Sequence, residues 1–356
     1  MRSTTIFIAE LLVVCTFPFS NEAQSRQPER GAVVRQEIVF MQPAPGVTGP
    51  PGPGAIFEIA TINLDGSGFR QLTHDGTFKF LPHFSPDGSK IVYTKYSVGE
   101  YGSPDAKYDI AVYDLTTSIE TVITQDGHAQ WATWSPDGSR IAYLTQLQGG
   151  TLWSISPDGS NVQRIASASG AINDLQWGDP AWSRDDWILF VVLQNVNNCL
   201  KVRVDKIRPD GTSRTQVSDG GPNCSRIGAE PSGDADPGWS WDSKTIYSSR
   251  GFPVAPANGP DITQRKLYAF SSEAWYAGKP ETDLSLPSEP SCIEGVPKGS
   301  PDGQHVLIYR ICFDEAGFKP GIYITDAAGS YRKFVTPGFG ADWNPSIVFH
   351  RLPPRN

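Results

Sequence analysis

The chain has 356 residues, with 38 Asp and Glu against 30 Lys and Arg, a net charge of −8 and a pI of about 5.2. That sign is wrong for tracking a phosphate backbone, so nucleic acid is not an expected partner. Gly 35 and Pro 30 punctuate the chain too often for a helical bundle and point to many short strands joined by turns.

In chain order, residues 1–23 read as a secretory signal peptide. Arg2 precedes an apolar stretch from Ile6 to Phe19, and cleavage is expected near Ala23. The run is too short for a permanent span and no later stretch replaces it, so the protein is expected to be exported, periplasmic or secreted, and not integral to a membrane. Residues 24–35 form a short N-terminal extension, 36–352 a single domain, and 353–356 a tail. Strands are expected at Glu37 to Met41 and Ile56 to Thr73, separated by the stiff connector Pro50-Pro51-Gly52-Pro53-Gly54.

Two near-identical segments follow, His83-Phe84-Ser85-Pro86-Asp87-Gly88-Ser89-Lys90-Ile91-Val92-Tyr93 and Thr133-Trp134-Ser135-Pro136-Asp137-Gly138-Ser139-Arg140-Ile141-Ala142-Tyr143. Weaker copies stand at Trp182-Ser183-Arg184-Asp185, Trp239-Ser240-Trp241-Asp242 and Gly299-Ser300-Pro301-Asp302-Gly303, with a truncated one at Trp343-Asn344-Pro345. The aromatic-equivalent positions 84, 134, 182, 239, 299 and 343 lie 44 to 60 residues apart, in the range of a four-stranded propeller blade with variable loops. Pro-Asp-Gly combines a fixed φ, an Asx-type side-chain bond and a residue free to take φ > 0, so each copy reads as a hairpin. A second hairpin turns at Asp65-Gly66-Ser67-Gly68, Pro157-Asp158-Gly159, Pro209-Asp210-Gly211 and Asp326 to Gly329. Two hairpins make four strands, one blade. The expected fold is therefore all-β, a six-bladed β-propeller of four-stranded antiparallel blades, closed by strands from both termini so that no sheet edge is left open.

These repeats resemble the PD40, or WD40-like, repeats of the TolB-like β-propeller family of exported bacterial proteins. The likeness is strongest around Ser85-Pro86-Asp87-Gly88 and Ser135-Pro136-Asp137-Gly138. TolB itself also carries an α/β domain ahead of its propeller, and here residues 24–35 alone separate the leader from the first strand. The resemblance thus implies the fold and not the role in the Tol-Pal system.

Beyond the leader stand four cysteines, Cys199, Cys224, Cys292 and Cys312, an even number without C-x-x-C spacing in an oxidising compartment. Hairpin counting puts Cys292 opposite residue 311 and Cys199 opposite residue 222. With a bulge or longer turn, the pairs Cys199–Cys224 and Cys292–Cys312 are expected. Trp134, Trp182, Trp239 and Trp343 hold the repeat position and read as packing between blades.

No G-x-S-x-G elbow, H-E-x-x-H or Walker loop is present, and the five histidines fall in different repeats. Propeller ligands enter around the central axis, so the residues just before each aromatic position are the candidates. His83, Trp131, Asp179, Asp236, Lys298 and Asp342 form a funnel mouth suited to a basic peptide segment, a cation or a sugar stacked on the indole. The expected function is a non-catalytic exported propeller, monomeric, that binds an envelope or extracellular protein or peptide. The alternative is a polysaccharide- or glycoside-acting enzyme, whose signature is His83, His128, Asp179 and Asp236 gathered around one pocket. No cofactor is expected, a funnel-bound calcium ion near Asp234-Ala235-Asp236 being the one addition left open.

Overall fold

The repeat hairpin is built by its own side chains. In the computed structural model Ser85 Oγ donates to Asp87 Oδ1 at 2.6 Å and accepts the Lys90 N–H at 2.9 Å, while Asp87 Oδ1 accepts the Ser89 N–H at 3.0 Å. Gly88 closes the turn at φ +70° with its N–H on Ser85 O. Ser135 to Arg140 repeats the set, and the Ser135 hydroxyl holds the Asp137 carboxyl below the usual carboxylate range. The weaker copies keep the geometry with other residues. Asp186 and Ser243 take the left-handed position at φ +70° and +60°, where the strong copies have glycine. A side chain in that region costs on the order of 1 kcal/mol, so something must compensate.

The structure describes residues 37–346 apart from 46–53, 100–102, 104, 146–149, 168–174, 177, 197–198, 221–224, 227–231, 255–261, 274–280, 287–291 and 315–316. The leader, the tail, and the Pro50 to Pro53 connector lie outside them. Every regular element among the described residues is a β-strand, and no helix is long and apolar enough to cross a membrane. Four sheets have four strands each. One runs Lys79–Phe84, Lys90–Val98, Lys107–Asp114, Ile119–Val122, each strand antiparallel to the next. Two more are built alike from Ala129–Trp134 to Gln163–Ser167 and from Cys292–Gly299 to Lys333–Thr336. In the fourth, the C-terminal strand Phe339–Trp343 lies innermost and pairs with Ile38–Pro43, with Ile38 opposite Trp343 and Asn344 N–H on Glu37 O. Both termini thus contribute to one sheet.

Residues 175–283 form a ten-stranded sheet in place of two separate blades. Its halves join through two parallel pairs, Lys201 with Ser232 and Val202 with Gly233. Glycine makes the join feasible, because a Cβ on Gly233 or Gly220 would stand 2.0 or 2.1 Å from Val202 O.

Apolar cores fill the spaces between neighbouring sheets. Ile38, Phe40 and Ile62 meet Leu307, Ile322 and Ile324, while Val92, Ile110 and Val112 meet Ala132, Trp134 and Tyr143. Each fully buried side chain of this size stabilises the fold by roughly 1.5–3 kcal/mol relative to exposure.

Four of the innermost strands share a bulge. The pairing slips between Phe80 and His83, between Gln130 and Ala132, between Ala235 and Gly238, and between Gly295 and Lys298. At these points Leu81, Trp131, Asp236 and Val296 take φ between +47° and +55°. For β-branched Val296 this is a strained conformation, which only the surrounding packing can impose. Turn and bulge together set the disulfide. The hairpin turn is two residues longer than counted, with Gly299 opposite Val306, and the bulge takes one residue back, so Cys292 faces Cys312 instead of residue 311, and the two are bonded. Cys224 lies outside the described residues, and with it the expected Cys199–Cys224 pair.

Candidate functional site

Three repeat tryptophans clasp the strand of the preceding repeat. Trp134 Nε1 donates to His83 O at 3.2 Å, Trp239 Nε1 to Ala181 O at 3.0 Å, and Trp343 Nε1 to Lys298 O at 2.9 Å. These bonds fix the residue just before each aromatic position. The other three positions break the rule in three ways: the Phe84 ring carries no N–H donor, Gly299 has no side chain, and Trp182 donates to Asp186 Oδ1. A side chain at 299 is not admissible, since its Cβ would lie 2.6 Å from Trp239 O.

The ends of the inner strands and the turns that follow them enclose a cavity of about 550 Å³. All six repeats reach it. Its walls include Trp182, Trp239, Trp241 and Trp343, the prolines Pro86, Pro136 and Pro345 belong to its lining, and His83, Lys298 and Asp342 contribute the charged groups of its deep end. The opening therefore lies on the Ser-Pro-Asp-Gly side, at the ends of the inner strands and not at their beginnings. Arg184 stacks over the Trp241 ring at 4.3 Å and donates its backbone N–H to Ser243 Oγ. Here the two strained turns find their compensation: Asp186 holds Trp182 and Ser243 holds Arg184, so the copies furthest from the consensus shape the cavity wall.

Four of the six predicted residues meet in one cluster. His83 Nε2 lies 3.1 Å from Asp179 Oδ2 and His83 Nδ1 lies 3.4 Å from Asp342 Oδ2. Lys298 Nζ donates to Asp179 Oδ2 at 2.8 Å, and Phe84 N–H donates to Asp342 Oδ2 at 3.2 Å. Asp179 is 1% exposed, and its Oδ1 has no hydrogen-bond partner among the described residues. Burial opposes charge on both His83 and Asp179. Their mutual attraction, with Lys298 beside Asp179, overrides it: the His83 pKa is raised and the Asp179 pKa lowered.

Trp131 and Asp236 stand apart, because both occupy the bulge. The Trp131 N–H donates to Thr94 Oγ1, and its ring packs against the core that holds Leu144 and Phe190. Asp236 has its carboxylate 3.9 Å from Arg265. Both oxygens of Asp234, the other carboxylate considered for calcium, receive Arg250, and no group of three or more metal-ligating side chains is placed to hold an ion among the described residues. His128 is not among the cavity-lining residues. Trp187 lies beneath Lys206 and Arg208, while Trp177 and Trp275 fall outside the described residues. Arg184, Trp182 and Trp241 are the site residues that motif reading missed. The available signal was their place in the divergent turns.

The model of the PD40 family, described as TolB beta propeller domain, matches residues 53–185. The Tol-Pal system protein TolB of Anaeromyxobacter dehalogenans is 28% identical over 112 residues, 31% of this chain and 24% of its own length. The match thus spans about a quarter of that relative. The crystal structure of TolB from Acinetobacter baumannii superposes with a TM-score of 0.58 at 18% identity, over 87% of this chain and 67% of its own. A putative TolB from Agrobacterium tumefaciens gives 0.51 at 14% identity, over 86% and 91%. At such identities the structures speak to the fold, and with the family match over residues 53–185 they agree with the repeats and sheets above: the chain is similar to the TolB-type PD40 β-propellers.

Proposed function

We propose that this protein is an exported propeller of six blades that binds a protein or peptide partner in the axial cavity. The six-blade count treats the ten-stranded sheet as two units, each with its own inner strand, Ala181–Trp182 and Ser232–Trp239, and its own outer strand, Thr215–Gln216 and Thr282–Asp283. The observation that carries the docking reading is the cavity itself. A volume of about 550 Å³ lies within the usual range of ligand sites and suits a few extended residues. Its indole walls supply apolar area at low entropic cost, and its charged end supplies orientation. The TolB-like resemblance agrees with an envelope partner. Export follows from the leader read at residues 1–23.

The glycoside-acting alternative needs an acid and a base both open to substrate, and of the cluster's carboxylates Asp342 alone lines the cavity. Both His83 nitrogens point at carboxylates and Asp179 is buried, so the geometry favours docking over proton transfer.

The test is capture from an envelope extract with the full chain, using Trp241→Ala as control and a photo-crosslinker at Asp137 on the rim. A protein retained by the wild type, lost by the variant and crosslinked at the rim supports the reading. Equal capture by both, with no rim crosslink, overturns it.

A further inference from the structure

We infer that His83 is a proton-controlled floor of the axial cavity: protonated, it neutralises Asp342, and on losing its proton it leaves Asp342 as an anion open to a cationic ligand group. The inference rests on the docking reading above.

Valence carries the first step. His83 directs Nε2 at Asp179 and Nδ1 at Asp342, at 3.1 and 3.4 Å. A neutral imidazole has one N–H and can serve one of them, whereas the imidazolium serves both. Asymmetry carries the second. Asp179 is 1% exposed and keeps the Lys298 ammonium at 2.8 Å when the His83 proton leaves. Asp342 is 20% exposed, lines the cavity, and keeps the Phe84 N–H. The carboxylate that loses its counter-charge is thus the accessible one.

The charged groups facing His83 come from three other elements: Asp179 before Ala181–Trp182, Asp342 on Phe339–Trp343, and Lys298 on Cys292–Gly299. The strand Ala129–Trp134, which reaches His83 through Trp134, contains no charged residue. The other lysines nearby in sequence are engaged elsewhere: Lys79 with Glu58 and Asp75, Lys90 with Asp114, Lys95 with Asp75 and Glu120. With His83 charged, the two cations and two carboxylates of the floor balance. With His83 neutral, the floor carries one uncompensated negative charge beneath indole walls, a setting for a lysine side chain or another alkylammonium.

The test uses the full chain with isotope-labelled histidine, followed by NMR from pH 5.5 to 9, the His83 resonance being identified by its loss in His83→Gln. It is expected to titrate above the free-histidine value of about 6.5, and Asp342→Asn is expected to lower the midpoint. A midpoint at or below about 6.5 overturns the inference. N-acetylated trilysine is the binding probe and triglutamate its control. Trilysine should bind roughly tenfold more weakly one pH unit below the His83 midpoint than on the plateau above it, with the pH dependence absent in His83→Gln. Binding of trilysine at equal strength across the range overturns the proton control and leaves the docking reading standing. An elevated midpoint without trilysine binding at any pH also overturns it, because the freed carboxylate is then closed to ligands. Rim crosslinking of a captured protein decides the docking reading independently.

Discussion

Asp179→Asn is the sharpest perturbation of the axial cluster. The side chain keeps its shape and loses its charge, leaving the His83 imidazolium and the Lys298 ammonium, 5% and 10% exposed, without their shared counter-ion. Removing one member of a buried ion pair typically costs about 3–5 kcal/mol, because the remaining charge is buried uncompensated. Near-complete burial of Asp179 means that solvent screening does little to reduce this. At about 2 °C per kcal/mol, the scale for chains at the large end of the calibrated range, melting should fall by roughly 6–10 °C. The deficit should also depend on pH. Near pH 5.5 both cations are charged and the full penalty applies, whereas near pH 8.5 His83 can stay neutral and only Lys298 remains exposed to it. Urea unfolding at the two pH values measures both effects. A deficit below about 1 kcal/mol, or one equal at both pH values, would refute the account of Asp179 as the anion that holds the axis together.

Other consequences follow from the same geometry. Because the His83 pKa is raised, its contribution to stability is fully present below the unfolded value of about 6.5 and is lost as pH rises through the folded value; the difference in urea midpoint between wild type and His83→Gln should shrink over that interval, and a constant difference counts against it. Trp343→Phe removes the donor to the buried Lys298 carbonyl and should destabilise by about 1–3 kcal/mol, measured by the same unfolding; an unchanged midpoint would show that water replaces the indole N–H. Cys292 and Cys312 close a loop with a sequence separation of 20, so the double Cys→Ser variant should lose on the order of 3 kcal/mol. A loss under about 1 kcal/mol would mean that the paired strands constrain that loop without the bond.

The hairpins are legible in the sequence because their chemistry is local. Ser85 and Asp87 stand two residues apart, and Gly88 follows at once, so the turn is written in one short word. Cys292 and Cys312 are nearly as plain, missing only the longer turn and the bulge that takes back one of its two extra residues. The cluster is not legible in this way. Lys298 meets Asp179 across 119 positions, a contact made by the relative placement of inner strands from different repeats and invisible to any spacing rule. Counting along the repeat did bring His83, Asp179, Lys298 and Asp342 into one set, but it also admitted Trp131 and Asp236. The left-handed bulge is the reason: it turns those two side chains out of the alternation that the count assumes.

The divergent repeats are the more informative ones. A consensus turn with glycine in the left-handed position would fold at least as well as Ser183-Arg184-Asp185-Asp186, and the strain at Asp186 and Ser243 has no use within the turn itself. Each of those residues instead holds a wall of the same cavity, Asp186 through Trp182 and Ser243 through Arg184, which in turn lies on Trp241. The tryptophan clasps show the same division of labour. Where Trp134, Trp239 and Trp343 bind the preceding strand, the ring is tied; where Phe84, Gly299 and Trp182 stand, the tie is absent, and the Trp182 indole is held instead by Asp186 of its own turn as a wall of the cavity. Stability alone would favour six identical clasps. The two divergent turns instead place Trp182, Arg184 and Trp241 in the wall of the cavity, as expected where binding, rather than folding, determines the residues.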